Sequence, residues 1–297
     1  MRGKLIMGSL AISCSGGGAL GIGPARLLSN IECDLGKKIS DMSVGYAGTS
    51  TGAILAGCLD EEISALDIFD MYKNNLKKIF TKYGVIDKVK KYPCPTYDNS
   101  YLKKLLKEKL VGKMSDWKKP IFIPAFNIIS VNNPEKVFDR GDMDVDKWFS
   151  VIASTSAETY FFPAGNDMSW IDGGNFANNP IAILAAGMND PKKSNYGRNI
   201  KILHLDTGMT VDKKGIGGNK NTVEWAVYIF KKLVARSNQS ATYIAKQFIG
   251  SENVYVASPV VKKEYDMDDL TCTDEVIGIW DKYYKSNKDS ILKFVQD

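Results

Sequence analysis

Apolar positions in this chain fall into short unbroken runs separated by longer stretches with helical spacing. Leu10–Cys14, Ser43–Ala47, Ile121–Ile129 and Ile200–Leu205 read as buried strands, with Lys136–Asp139 and Asn253–Ala257 as shorter ones. The intervening stretches predict helices. One runs from Gly23 and Pro24 to Asn30, and another covers Ala53–Leu59. A third starts at the N-cap Ser64 and reaches about Phe80, with Leu66, Phe69, Leu76 and Phe80 as its apolar stripe. Pro93 and Pro95 break the chain before a helix capped by Asp98 or Asn99 that ends near Gly112. Asp146–Thr155 and Pro180–Met188 follow. Asn221 and Glu224 form a capping-box pattern for a helix to about Phe248, and Asp274–Phe294 closes the chain. Strands alternating with helices predict an α/β fold with a mainly parallel central sheet flanked by helices. Without repeats or low-complexity tracts, the expectation is a single domain over 1–297. Its core covers about 8–210, a helical insertion about 64–112, and a C-terminal helical portion about 221–297.

Composition narrows the class without changing it. With 297 residues, 44% hydrophobic and 25% charged, the chain reads as an ordinary globular protein. No apolar run approaches the ~20 residues of a membrane span, and the start is too glycine-rich for a signal peptide. Five scattered cysteines (Cys14, Cys33, Cys58, Cys94, Cys272) without a C-x-x-C pattern argue against a disulfide framework or zinc site. They point to a reducing, cytoplasmic setting. The net charge of +5 is unevenly spread. Residues 73–119 hold fourteen lysines against four acids, whereas Glu264–Glu275 holds six acids and no base. The lysine-rich helices suggest peripheral contact with anionic phospholipid headgroups, the alternative being a solvated surface. Scarce arginine and the lack of a binding motif argue against nucleic acid.

Gly48-Thr49-Ser50-Thr51-Gly52 is a G-x-S-x-G pattern between a predicted strand and a predicted helix. A turn this tight brings its arms together, so both flanks favour glycine, and the serine hydroxyl is presented at the sheet end as a nucleophile. The loop Ser15-Gly16-Gly17-Gly18-Ala19-Leu20-Gly21 follows the first strand and offers backbone N–H groups to an oxyanion. Asp172-Gly173-Gly174, with Asn178, Asn179 and Pro180 behind it, offers a carboxylate on a turn.

These three motifs, with Ser154–Ala157 and Tyr160–Pro163 before the third, resemble the patatin-like phospholipases over about residues 8–210. The resemblance implies a three-layer fold and a lipid acyl hydrolase. In it Ser50 is the nucleophile, Asp172 the base, and Gly16, Gly17 and Gly18 the oxyanion hole. Gly48 and Gly52 shape the elbow, and Gly173 and Gly174 the base turn. No cofactor or metal is expected, and the partner is a phospholipid or other acyl lipid. An ordinary carboxylate is a poor base at neutral pH, and burial beside Trp170 and Ile171 would raise its pKa. The sequence departs from the family at Leu20, where a basic residue is usual.

Three alternatives compete. The order Ser50, Asp172, His204 is that of an α/β-hydrolase triad, but His204 lies inside a predicted strand. Gly16, Gly18 and Gly21 match a dinucleotide fingerprint, with Asp41 at the spacing of its acid. A non-catalytic member of the same fold could bind lipid or a membrane surface.

Overall fold

The computed structural model describes residues 9–82, 95–210, 237–261 and 265–296. The long apolar runs form the centre of a seven-stranded sheet. Strand β1 (Ser9–Cys14) lies between β2 (Ser43–Gly48) and β6 (Ile200–Leu205), parallel to both. Beyond them lie β3 (Ile121–Asn127) on one side and β8 (Val254–Ala257) on the other, also parallel. Strand β4 (Glu135–Phe138) closes the β3 edge antiparallel, giving the order β4-β3-β2-β1-β6-β8. The short strands β7 (Met209–Thr210) and β9 (Val260–Val261) pair separately. The α/β class with a mostly parallel sheet is therefore observed.

Strand β5 (Trp170–Asp172) is absent from the sequence-based expectation, because three residues are too few for a periodicity signal. It pairs antiparallel with Ala125–Asn127 of β3, while β2 pairs with Ile121 and Phe122. Strand β4 occupies the opposite side of β3 across Ile123–Phe126, so β2 and β5 lie end to end on one side. Their carboxyl ends point at each other. That arrangement brings the segment after Gly48 toward Asp172.

The helices cover both sheet faces. They are α1 (Ile22–Leu35), α2 (Ile39–Met42), α3 (Thr51–Asp60), α4 (Ala65–Ile79), α5 (Ser100–Lys109), α6 (Lys147–Ser154), α7 (Gly174–Ala177) and α8 (Ile181–Asn189). A further helix, α9, covers 237–249, and α10 is Thr273–Gln296. Helix α3 is buried along its length, as its uniformly apolar sequence demands. The larger core holds α1, α3, α4, α6 and α10 against one face, with Trp117 and Trp280 among its largest buried side chains. A second cluster packs α8 and α9 on the other face through Leu184, Met188, Ala245 and Ile249.

Several boundaries differ from expectation. Helix α1 runs on to Leu35 and ends on Gly36 in the left-handed region (φ 63). Ser64 caps α4 by accepting the Asp67 amide at 3.1 Å, as expected. However, Leu66 is exposed, and the buried stripe is Ile68, Phe69, Tyr72, Leu76 and Ile79. Strand β3 stops at Asn127 because the Asn127 side chain accepts the amides of Ile129 and Ser130 and turns the chain. The Asn221 and Glu224 capping pattern and Cys94 lie outside the described residues. Among those residues, no helix is long and apolar enough to cross a membrane.

Candidate active site

The elbow begins where β2 ends. Ser50 takes φ 55 and ψ −123, a backbone conformation that costs a non-glycine residue roughly 1–3 kcal/mol. The surroundings hold it there. The Thr49 amide donates to the Cys14 carbonyl at 3.2 Å and the Ser50 amide to Ser154 Oγ at 3.0 Å. Thr49 Oγ1 donates to the Ala177 carbonyl at 2.6 Å. Tyr72 of α4 grips the next residue, donating to the Thr51 carbonyl at 2.9 Å. Both flanking glycines are sterically required. A Cβ on Gly48 would lie 2.0 Å from the Gly52 carbonyl oxygen, and one on Gly52 would lie 2.2 Å from that of Cys14.

The structure brings Asp172 to this elbow. Its carboxyl accepts the Gly174 amide at 2.7 Å and faces the Ser50 hydroxyl, which lowers its pKa. Burial away from water pushes its pKa up to about 7, against the smaller lowering effect of those two groups. The end of α6 fixes the backbone here: the Asp172 amide donates to Ser156 at 3.0 Å and that of Gly173 to Ser154 at 3.3 Å. Gly173 packs so closely on Pro124 that a Cβ would lie 2.1 Å from its carbonyl oxygen.

The glycine loop lies at the same edge, after β1. The Gly16 amide is occupied, donating to the Asn178 carbonyl at 3.0 Å. Thr207 Oγ1 holds the Gly16 carbonyl at 3.1 Å. The amides of Gly17 and Gly18 have no hydrogen-bond partner among the described residues, so they are the donors free to meet an oxyanion. Gly18 sits at φ 57, where a side chain is strained.

Four residues make contacts that the sequence does not announce. Ser154 and Asn178 belong to the motifs, but their bonds to Ser50 and Gly16 join segments far apart in the chain. Met267 covers the loop, its carbonyl accepting the Ala19 amide at 2.7 Å, and the neighbouring Asp268 accepts the Tyr97 hydroxyl. The acidic stretch containing both was visible only as a charge imbalance. The fourth residue, Asp206, follows β6 and accepts the Thr207 amide at 2.9 Å and the Ser258 hydroxyl at 3.3 Å.

His204 is buried in β6, between Ser13 Oγ at 3.0 Å and Ser15 Oγ at 3.2 Å. Desolvation pushes its pKa down to about 3, which keeps the ring neutral. Its two nitrogens are thus committed to those serines rather than to Ser50 or Asp172, which disfavours the triad. Asp41 lies on α2, before β2, at the opposite edge of the sheet from the glycine loop, where it could not meet a dinucleotide ribose. Phe161 is buried beside Phe80 and Tyr97 as core. Among the described residues, no group of three His, Cys, Asp or Glu side chains could hold a metal ion.

The family model for patatin-like phospholipases matches residues 12–185. A cGAMP-activated phospholipase of Escherichia coli (strain TW11681) is 28% identical over 221 residues, covering 66% of this chain and 61% of that protein. Patatin-like protein 2 of Arabidopsis thaliana is 31% identical over 249 residues, covering 66% and 59%. The chain thus spans about three fifths of the length of these relatives. Among solved structures, VipD from Legionella pneumophila aligns with 93% of this chain and 67% of its own, at 13% identity and a TM-score of 0.46.

Proposed function

The chain belongs to the patatin-like phospholipase family, and from that premise we propose that it is a lipid acyl hydrolase that cleaves fatty-acyl esters of glycerophospholipids. The observation that carries this reading is a buried Asp172 carboxyl, its pKa pushed up to about 7, set beside the Ser50 hydroxyl. A base of that pKa is matched to neutral pH. Ser50 Oγ attacks the ester carbonyl while Asp172 takes its proton. The Gly17 and Gly18 amides receive the negative charge of the tetrahedral intermediate, each such donor being worth on the order of 10²–10³ in rate. Collapse breaks the ester bond, and the leaving alcohol takes the proton from Asp172. Water, deprotonated by the same carboxylate, then attacks the acyl-enzyme; collapse releases the fatty acid as Asp172 returns its proton to Ser50 Oγ. The strained elbow supports this role, since it aims the hydroxyl away from the helix it begins.

The same reading takes the chain as a single domain acting in the cytoplasm. It meets its substrate at a membrane surface, where the exposed lysines of α4 and α5 favour anionic headgroups.

The test is labelling by a fluorophosphonate probe, with and without cGAMP because a matched relative is described as activated by it. Labelling that disappears in Ser50→Ala supports the enzyme. No labelling under either condition favours a lipid-binding protein without catalysis.

A further inference from the structure

The turn between β3 and β4 stands at the same sheet edge as Ser50 and holds apolar side chains in solvent. Val131 is 93% exposed and Ile129 62%, with Ile128 beside them. The register fixes its height. Tyr46 and Ala47 pair with Ile121 and Phe122, and Ala125, three residues further along β3, pairs with Asp172. Ile128 lies three residues beyond Ala125, about 10 Å further out than Asp172 at ~3.3 Å per residue. Met168, also exposed, is on the adjoining loop, joined where the Ile128 amide donates to Ser169 at 2.8 Å.

The turn's backbone amides are satisfied as far as Ser130. The Asn127 amide donates to Pro134 at 2.7 Å, and Asn127 Oδ1 accepts the amides of Ile129 and Ser130 at 3.1 and 3.2 Å. Ser130 Oγ donates to the Asn133 carbonyl at 3.0 Å. A turn that enters a lipid layer must satisfy its polar backbone internally, and here successive amides from Asn127 to Ser130 are satisfied.

Across the site lies a basic flank. Helix α3 leads away from Ser50 and α4 returns, ending at Phe80. The Phe80 ring meets Tyr97 and Phe161 at 5.3 and 5.9 Å, close to the Ser156 segment that holds Asp172. The last turns of α4 carry exposed Lys73, Lys77 and Lys78. An apolar turn on one side of the site and a basic helix end on the other are complementary to one occupant, a bilayer containing anionic phospholipid.

We propose that residues 128–131 insert into the surface of an anionic phospholipid bilayer and seat the Ser50 site against it, with the end of α4 supplying the electrostatic attraction. This rests on the reading of the chain as a lipid hydrolase. The test uses the full chain with Ile129→Ser/Val131→Ser. Flotation measures binding to vesicles of phosphatidylcholine with phosphatidylglycerol, and a soluble short-chain p-nitrophenyl ester reports the chemistry. The double variant is expected to bind vesicles about tenfold or more weakly while hydrolysing the soluble ester at the wild-type rate. Lys73→Glu/Lys77→Glu is expected to lose the preference for phosphatidylglycerol. Vesicle binding unchanged in the double variant, or no vesicle binding by the wild type, overturns the proposal. A wild type that floats through this turn but hydrolyses neither ester nor vesicle lipid instead overturns the hydrolase reading and leaves the docking surface standing.

Discussion

The backbone carbonyl of Asn178 accepts the amide of Gly16 at 3.0 Å. This bond joins the segment after the Asp172 motif to the glycine loop, and Thr49 joins the same segment to the elbow through the Ala177 carbonyl. Three motifs far apart in sequence are thus locked together, once through the Gly16 amide and once through the Thr49 side chain. The bond also reduces the expected set of oxyanion donors from Gly16, Gly17 and Gly18 to the last two.

Of the two free donors, Gly18 is the more constrained. A Cβ there would lie 2.4 Å from the Met267 carbonyl oxygen at a φ that side chains rarely adopt. Gly18→Ala is therefore expected to shift the loop and lower kcat/KM by about 10²-fold or more, the scale of losing one oxyanion donor. Steady-state kinetics on a soluble ester, with circular dichroism to confirm folding, checks this.

Burial raises Asp172 to about 7, which has two consequences of opposite value. Activity requires the ionised form, so kcat/KM rises with pH on a limb of unit slope centred near 7. For stability, the native state keeps the proton between the ordinary carboxylate range and about 7, whereas the unfolded chain has released it. Stability therefore falls as pH rises through that window. Asp172→Asn removes the buried charge. It is expected to abolish turnover yet stabilise the fold by on the order of 1–3 kcal/mol at pH 8, and by less at pH 5. Paired thermal melts at the two pH values measure the second effect.

His204 separates the dyad from a triad. Its ring bridges Ser13 and Ser15, so His204→Ala leaves two buried hydroxyls without their partner. The expected cost is about 1–3 kcal/mol in stability, with activity of the folded protein kept within about tenfold. A loss as large as that of Ser50→Ala would restore the triad.

The sequence exposed the parts whose chemistry depends on residue type. Gly48 and Gly52 are legible because any side chain would strike main-chain atoms, and the four central strands because they are buried on both faces. Strand β5 escaped because its pairing with Ala125–Asn127 is a tertiary event encoded in no local period. The occupied Gly16 amide, the Ser154 contact and the Met267 cover escaped for a related reason: each depends on which main-chain atom of a distant segment arrives there. Leu66 was misassigned because one apolar residue beside a helix stripe carries no signal of which way it faces. The terminus of β3 was missed because Ile128 and Ile129 continue its apolar pattern. Only the Asn127 side chain ends the strand and leaves them in solvent.

The most direct test of the central claim is fatty-acid release from phospholipid vesicles by the wild type, Ser50→Ala and Asp172→Asn, quantified by mass spectrometry at pH 8. The account predicts release by the wild type alone, with both variants folded and each lowered by about 10³-fold or more. Release by Asp172→Asn at a rate near the wild type would show that the serine draws on another base, and would contradict it.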